Sequence, residues 1–277
     1  MQCVVRDLPL FYEVRGTGMP ILCLHGFGCD HQQMTGCLEP LFSQQAGWQR
    51  IYLDLPGMGR TPGRDDITSS DDILALVLDF IDAVIGDQPF LLIGASYGGY
   101  LCQAILHQRF ARVVGMALLC PGVLMERAQR DLPAQTVLVE NPALLAELDA
   151  ADAEEFASIA VVQDRAVWER FQREILSGAK LADEAFLQKI SQRYSCSFDV
   201  RKLPQPFLRP VLLLTGRQDH VTGYRDVWQI LENYPRGTFA VLDRAGHNLP
   251  AEQPHLFTAL MHEWLERVQE ALQKRDA

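Results

Sequence analysis

The chain has 277 residues, 48% hydrophobic and 22% charged, enough apolar material for one large globular domain or a core with a smaller inserted unit. Its 20 glycines and 15 prolines are ordinary usage, which excludes collagenous and low-complexity classes. A formal charge of −10 has the wrong sign for affinity through phosphate neutralisation, so neither nucleic acid nor an anionic membrane surface is an expected partner.

At the N-terminus, Arg6 and Asp7 interrupt the apolar stretch that a signal peptide would need. No apolar run anywhere approaches membrane-spanning length, so export by that route and membrane insertion are not expected. Short strands are predicted at Val4 to Arg6, Phe11 to Arg15, Ile21 to Leu24, Arg50 to Leu53, Phe90 to Ile93 and Val113 to Leu119. Phe90-Leu91-Leu92-Ile93 is apolar throughout, as a strand buried on both faces of a parallel sheet requires. A helix is predicted from Ser70 to Ile85, where Ile73, Leu74, Val77, Leu78 and Ile81 share one face. Ser69, Ser70 and Asp71 offer capping groups, and Asp71 and Asp72 suit the positive end of the helix dipole.

From Pro121 to about Pro206 the pattern changes to acidic, alanine-rich segments with helical spacing, which predicts an inserted helical unit at 121–206 between core segments 1–120 and 207–277. Its stripes are Leu144, Leu145 and Leu148, then Val167, Phe171 and Ile175 with Trp168 beside them, then Phe186, Leu187 and Ile190. Strands resume at Val211 to Thr215 and Phe239 to Leu242, and a helix from Pro254 to about Gln273 closes the chain. Cys3, Cys23, Cys29, Cys37, Cys102, Cys120 and Cys196 are odd in number and lack C-x-x-C spacing. They predict buried thiols in a reducing cytoplasm, with no disulfide framework and no zinc site.

The most specific feature is Gly94-Ala95-Ser96-Tyr97-Gly98-Gly99, a G-x-S-x-G segment between a buried strand and a helical stretch. A turn tight enough to thrust a serine above a sheet leaves no room for side chains at its flanks, hence the glycines. A serine hydroxyl is a weak nucleophile at neutral pH and requires a base and a carboxylate that orients it. Asp219 and His247 follow in that order, each a few residues past a predicted strand end. His25 reads as structural support for its loop, Asp54 as a turn residue, and His31, His107, His255 and His262 as surface or half-buried positions.

With His25-Gly26-Phe27-Gly28, the segment from Asp54 to Thr61, the Ser96 turn, the Asp219 loop and the His247 loop, the chain resembles the α/β-hydrolase fold superfamily, in its serine-nucleophile, capped form. The resemblance implies a mostly parallel eight-stranded sheet flanked by helices, with residues 121–206 as a helical cap. It also implies an oxyanion hole made by the backbone N–H groups of Phe27 and Tyr97. The expected activity is hydrolysis of a small apolar ester through an acyl-enzyme by Ser96, His247 and Asp219, with no cofactor and no metal. Val123, Leu124, Met125, Trp168, Val221 and Leu249 are the candidate pocket residues for that small-molecule substrate. Two other readings stay open: a carbon–carbon bond hydrolase or other capped reaction, and a ligand-sensing protein that keeps the triad. The family hosts many reactions, so the fold alone selects none of them.

Overall fold

The computed structural model describes residues 1–43 and 45–276, the last two by their backbone alone. Eight strands form one sheet in the order β1-β2-β4-β3-β5-β6-β7-β8. They are β1 (Gln2–Val5), β2 (Leu8–Arg15), β3 (Met19–Leu24), β4 (Trp48–Leu53), β5 (Phe90–Ala95), β6 (Val113–Leu119), β7 (Val211–Gly216) and β8 (Gly237–Leu242). Pairs β1/β2 and β2/β4 are antiparallel and the other five are parallel. The predicted first strand ends one residue early, because Arg6 and Asp7 both take positive φ (47° and 63°) in a two-residue hairpin turn that returns the chain into β2.

Helices α1 (His31–Phe42), α2 (Ser70–Val84) and α3 (Tyr97–Gln108) link the central strands. Between β6 and β7 lie α4 (Pro142–Glu147), α5 (Ala150–Ile159), α6 (Arg165–Phe171), a π-helical turn Gln172–Leu176 leading into α7 (Ser177–Ala179), and α8 (Glu184–Ser191). Thus a large helical insertion interrupts the strand succession where the sequence pattern changes. The chain then adds α9 (Arg225–Gln229), α10 (Leu249–Glu252) and α11 (Pro254–Asp276).

Both faces of the sheet are covered. Leu92 of β5 packs with Val77, Phe80 and Leu101 of α2 and α3, whereas Leu91 and Ile93 pack with Met34, Leu38 and Trp264 of α1 and α11. The continuous apolar runs therefore follow from burial on two sides. Helix α1 was not among the predicted elements, although Asp30 caps it and Met34, Cys37, Leu38 and Leu41 bury one face. No helix among the described residues is long and apolar enough to cross a membrane. Strands β3 and β5 are neighbours whose following loops lead to opposite sides of the sheet, so a crevice opens at their C-terminal ends.

Candidate active site

Ser96 occupies that crevice in the turn between β5 and α3, with φ 51° and ψ −114°, a strained backbone for a residue with a side chain. Close approach explains the flanking glycines. A Cβ on Gly98 would lie 2.2 Å from the Leu24 carbonyl oxygen, and one on Gly94 would lie 2.5 Å from that of Gly98. The Ser96 N–H donates to Leu119 O at 2.9 Å, and its carbonyl accepts from Tyr100 and Gly122, so the turn is held from three directions.

Strand β7 delivers Asp219 and β8 delivers His247 to the same crevice. Nδ1 of His247 lies 2.9 Å from Oδ2 of the fully buried Asp219. The other Asp219 oxygen accepts from the backbone of Val221 and Thr222, at 2.8 and 3.0 Å, while the Thr222 hydroxyl donates to Oδ2 at 2.8 Å. Burial by itself would raise the Asp219 carboxyl, but the electrostatic attraction and hydrogen bond of His247 and the hydrogen bonds from Thr222 prevail and hold it below the ordinary carboxylate range. An ionised Asp219 assigns the proton to Nδ1 and leaves the Nε2 lone pair free. Ser96 and His247 line a common cavity, and no hydrogen bond joins the Ser96 hydroxyl to the ring.

The N–H groups of Phe27 and Tyr97 donate to no protein acceptor among the described residues. The loop that carries Phe27 is fixed from beneath. His25 is fully buried, with Nδ1 donating to Gly26 O at 2.8 Å and Nε2 accepting from Leu55 N at 3.0 Å. Burial lowers its pKa, which favours the neutral ring that this pairing needs. Gln33 of α1 accepts the Gly26 N–H at 2.6 Å and lines the cavity beside Ser96, a contact that nothing in the local sequence signalled. Asp54 receives the backbone and ring nitrogens of His31 and the Arg60 N–H, so it braces α1 and the following turn.

Of the six pocket candidates, Met125 and Val221 line the larger cavity at Ser96, which has a volume of about 480 Å³. Val123 and Leu124 line a separate depression with Tyr100 and Cys196. Trp168 packs against Phe156 and Phe171 inside the insertion, and Leu249 is fully buried in the core. Helical spacing marks an apolar face without saying whether protein or ligand covers it. Cys29 is buried, and burial pushes its thiol up to about 12.

Glu252 is a second residue that sequence reasoning missed. Its carboxylate accepts the Gly246 N–H at 2.6 Å through one oxygen and the Val161 N–H at 2.7 Å through the other. It thereby ties the residue before His247 to the insertion. Cys120, Asp219 and His247 bring one potential metal-ligand atom each to within 4.8 Å of one another. Nδ1–H of His247 is already directed at Asp219, and the Cys120 thiol donates to Gly246 O. A cation there would have to displace both bonds, whereas a proton-handling chain uses the groups as they stand.

Comparison with known proteins agrees with this architecture. The model of the alpha/beta hydrolase family matches residues 21–260. An alpha/beta superfamily hydrolase from Oenococcus oeni PSU-1 superposes with a TM-score of 0.88 at 29% identity, over 97% of this chain and 99% of that one. A pimeloyl-[acyl-carrier protein] methyl ester esterase of Legionella pneumophila (strain Paris) is 25% identical over 255 residues, covering 91% of this chain and 98% of its own. A monoacylglycerol lipase of Xenopus laevis is 21% identical over 272 residues, covering 92% and 77%.

Proposed function

The chain belongs to the alpha/beta hydrolase family and is an esterase-type hydrolase, and within that activity we propose that Ser96, His247 and Asp219 cleave small carboxylic esters through an acyl-enzyme. The observation that carries the proposal is the convergence, from three separate strand ends, of a strained serine, an imidazole with a free Nε2 and a buried carboxylate on Nδ1. Ser96 Oγ attacks the ester carbonyl carbon as Nε2 of His247 takes its proton. Asp219 keeps the ring in the required tautomer and stabilises the imidazolium. The N–H groups of Phe27 and Tyr97 receive the developing oxyanion, a donor of this kind being worth about 3 kcal/mol of barrier. The same proton passes to the departing alcohol. Water, deprotonated by His247, then attacks the acyl-enzyme carbonyl and releases the carboxylic acid, restoring the serine hydroxyl.

The Ser96 hydroxyl and His247 face one cavity without a hydrogen bond between them, and catalytic hydrogen bonds of this kind commonly tighten only when substrate binds. Residues 121–206 serve as a cap over this site, with 1–120 and 207–277 as the catalytic core. The ester reading is favoured because two relatives are named for ester substrates. Ser96→Ala should lower kcat on a short-chain chromogenic ester by about 10⁶. A fluorophosphonate should label the wild type at Ser96 and leave the variant unlabelled. Retention of wild-type turnover in the variant would overturn the assignment.

A further inference from the structure

Ser96 stands where two cavities of very different size meet. Gln33, Ile175, His247 and Asn248 border both, so a carbonyl held at Ser96 must send one substituent each way. The larger cavity, about 480 Å³, is of a size that accommodates a drug-sized ligand. The smaller is about 40 Å³. A water-sized group needs about 10–15 Å³ of such space, so the smaller cavity has room for about three non-hydrogen atoms.

The walls of the small cavity are packed side chains. Met34 of α1 is fully buried, and Phe171 of α6 is 2% exposed. Arg170 and Glu174 line the cavity beside them, and Glu174 of the π turn receives Arg170 through two hydrogen bonds, at 2.9 and 2.8 Å. Arg170 also donates to Pro250 O at 2.6 Å, fastening this helix to the segment that follows His247. Gly36 lets the assembly sit directly on α1, since a Cβ there would lie 2.5 Å from Glu174 Cγ. A longer substituent would have to part this ion pair or push α6 off α1. The Asn248 side-chain nitrogen, buried without a protein partner, sits on the wall shared with the large cavity and offers a donor to an ester oxygen.

We propose that this protein selects esters of two unequal halves, one of at most about three non-hydrogen atoms taken into the small cavity and the other a longer chain taken into the large one. The proposal rests on the ester-hydrolase reading above and specifies its substrate class. One methylene too many in a closed apolar pocket costs about 10- to 200-fold in kcat/KM.

The test compares four isomers of one molecular formula: methyl nonanoate, ethyl octanoate, octyl acetate and pentyl pentanoate, of which only the last has more than three non-hydrogen atoms on both sides of its carbonyl. Acid release by the full chain is followed in a pH-stat. Methyl nonanoate or octyl acetate should exceed pentyl pentanoate in kcat/KM by about tenfold or more, and whichever of the two is faster identifies the half that enters the small cavity. Ile175→Ala, which trims a half-buried side chain at the junction, should raise pentyl pentanoate relative to the best isomer. Pentyl pentanoate turning over as fast as the best isomer overturns the size selection. If no isomer turns over while fluorophosphonate still labels Ser96, the substrate class is wrong but the nucleophile stands. If labelling fails as well, the ester-hydrolase reading falls with it.

Discussion

Two buried carboxyl groups hold the His247 loop, one at the ring and one at the backbone of Gly246, and their pKa values are shifted in opposite directions. Asp219 is held below the ordinary range by its partners, whereas Glu252 is raised to about 7, chiefly by burial, with Asp219 adding to the rise and three backbone N–H groups opposing it. For Glu252 the folded value lies above the ordinary 4.5. Its contribution to stability is therefore fully present below 4.5 and is lost as pH rises through 7, a span equivalent to about 3 kcal/mol. From pH 5 to pH 8 the urea midpoint of the wild type should fall relative to that of Glu252→Gln, in which this titration is gone. Equal slopes for the two proteins would remove the carboxyl from the account. Ser96, Asp219 and His247 could be read from the sequence because each lies in a short loop after an apolar strand. Glu252 could not, because one of its partners is Val161, 91 positions away, and only the folded chain brings them together.

At the scale of elements, the interface between α1 and the helix of the insertion shows how spacing carries geometry. Val167, Phe171 and Ile175 recur at every fourth residue, wider than the 3.6 of a regular helix. The structure accommodates this with a π turn at Gln172–Leu176. Val167 and Phe171 stay in the apolar cluster while Ile175 reaches both cavities at Ser96. The stripe announced a helix but not the widened turn, at which Glu174 seats against Gly36 of α1, a contact absent from either segment alone. Gly36→Ala sets two effects against each other. Intrinsic helix preference favours alanine by about 1 kcal/mol, while overpacking against a tethered side chain costs about 1–3 kcal/mol. Because Arg170 and Arg173 both hold Glu174, the side chain cannot simply swing away. Gly36→Ala should therefore melt below the wild type, and its preference among ester chain lengths should shift. An unchanged melting temperature and an unchanged profile would mean that the interface yields freely.

At the scale of the whole molecule, the insertion is divided between two apolar clusters. Leu144, Phe156, Val167, Trp168 and Phe171 form a small cluster of their own. Phe186, Ile190, Cys196 and Val200 instead belong to the main core with α2 and α3. Phe186 seats against Gly63 and against Gly57, whose φ is +72°, and a Cβ on Gly57 would lie 2.2 Å from its ring. Glu252 and Arg170 add polar ties at the other end. The first half is too small to be stable alone, since a single core below about 70–80 residues rarely supplies more than about 3–5 kcal/mol. The second half is part of the core outright. Loss of either part exposes apolar surface on the other, so cap and core should unfold together even though chains of this length often populate intermediates. Trp168 is the one tryptophan between residues 121 and 206, so the fluorescence difference between wild type and Trp168→Phe reports on that region. Its urea midpoint should coincide with that of the far-ultraviolet circular dichroism of the whole chain. An earlier midpoint for the Trp168 signal would mean that the first half opens by itself, and substrate entry could then proceed by local unfolding with the core intact.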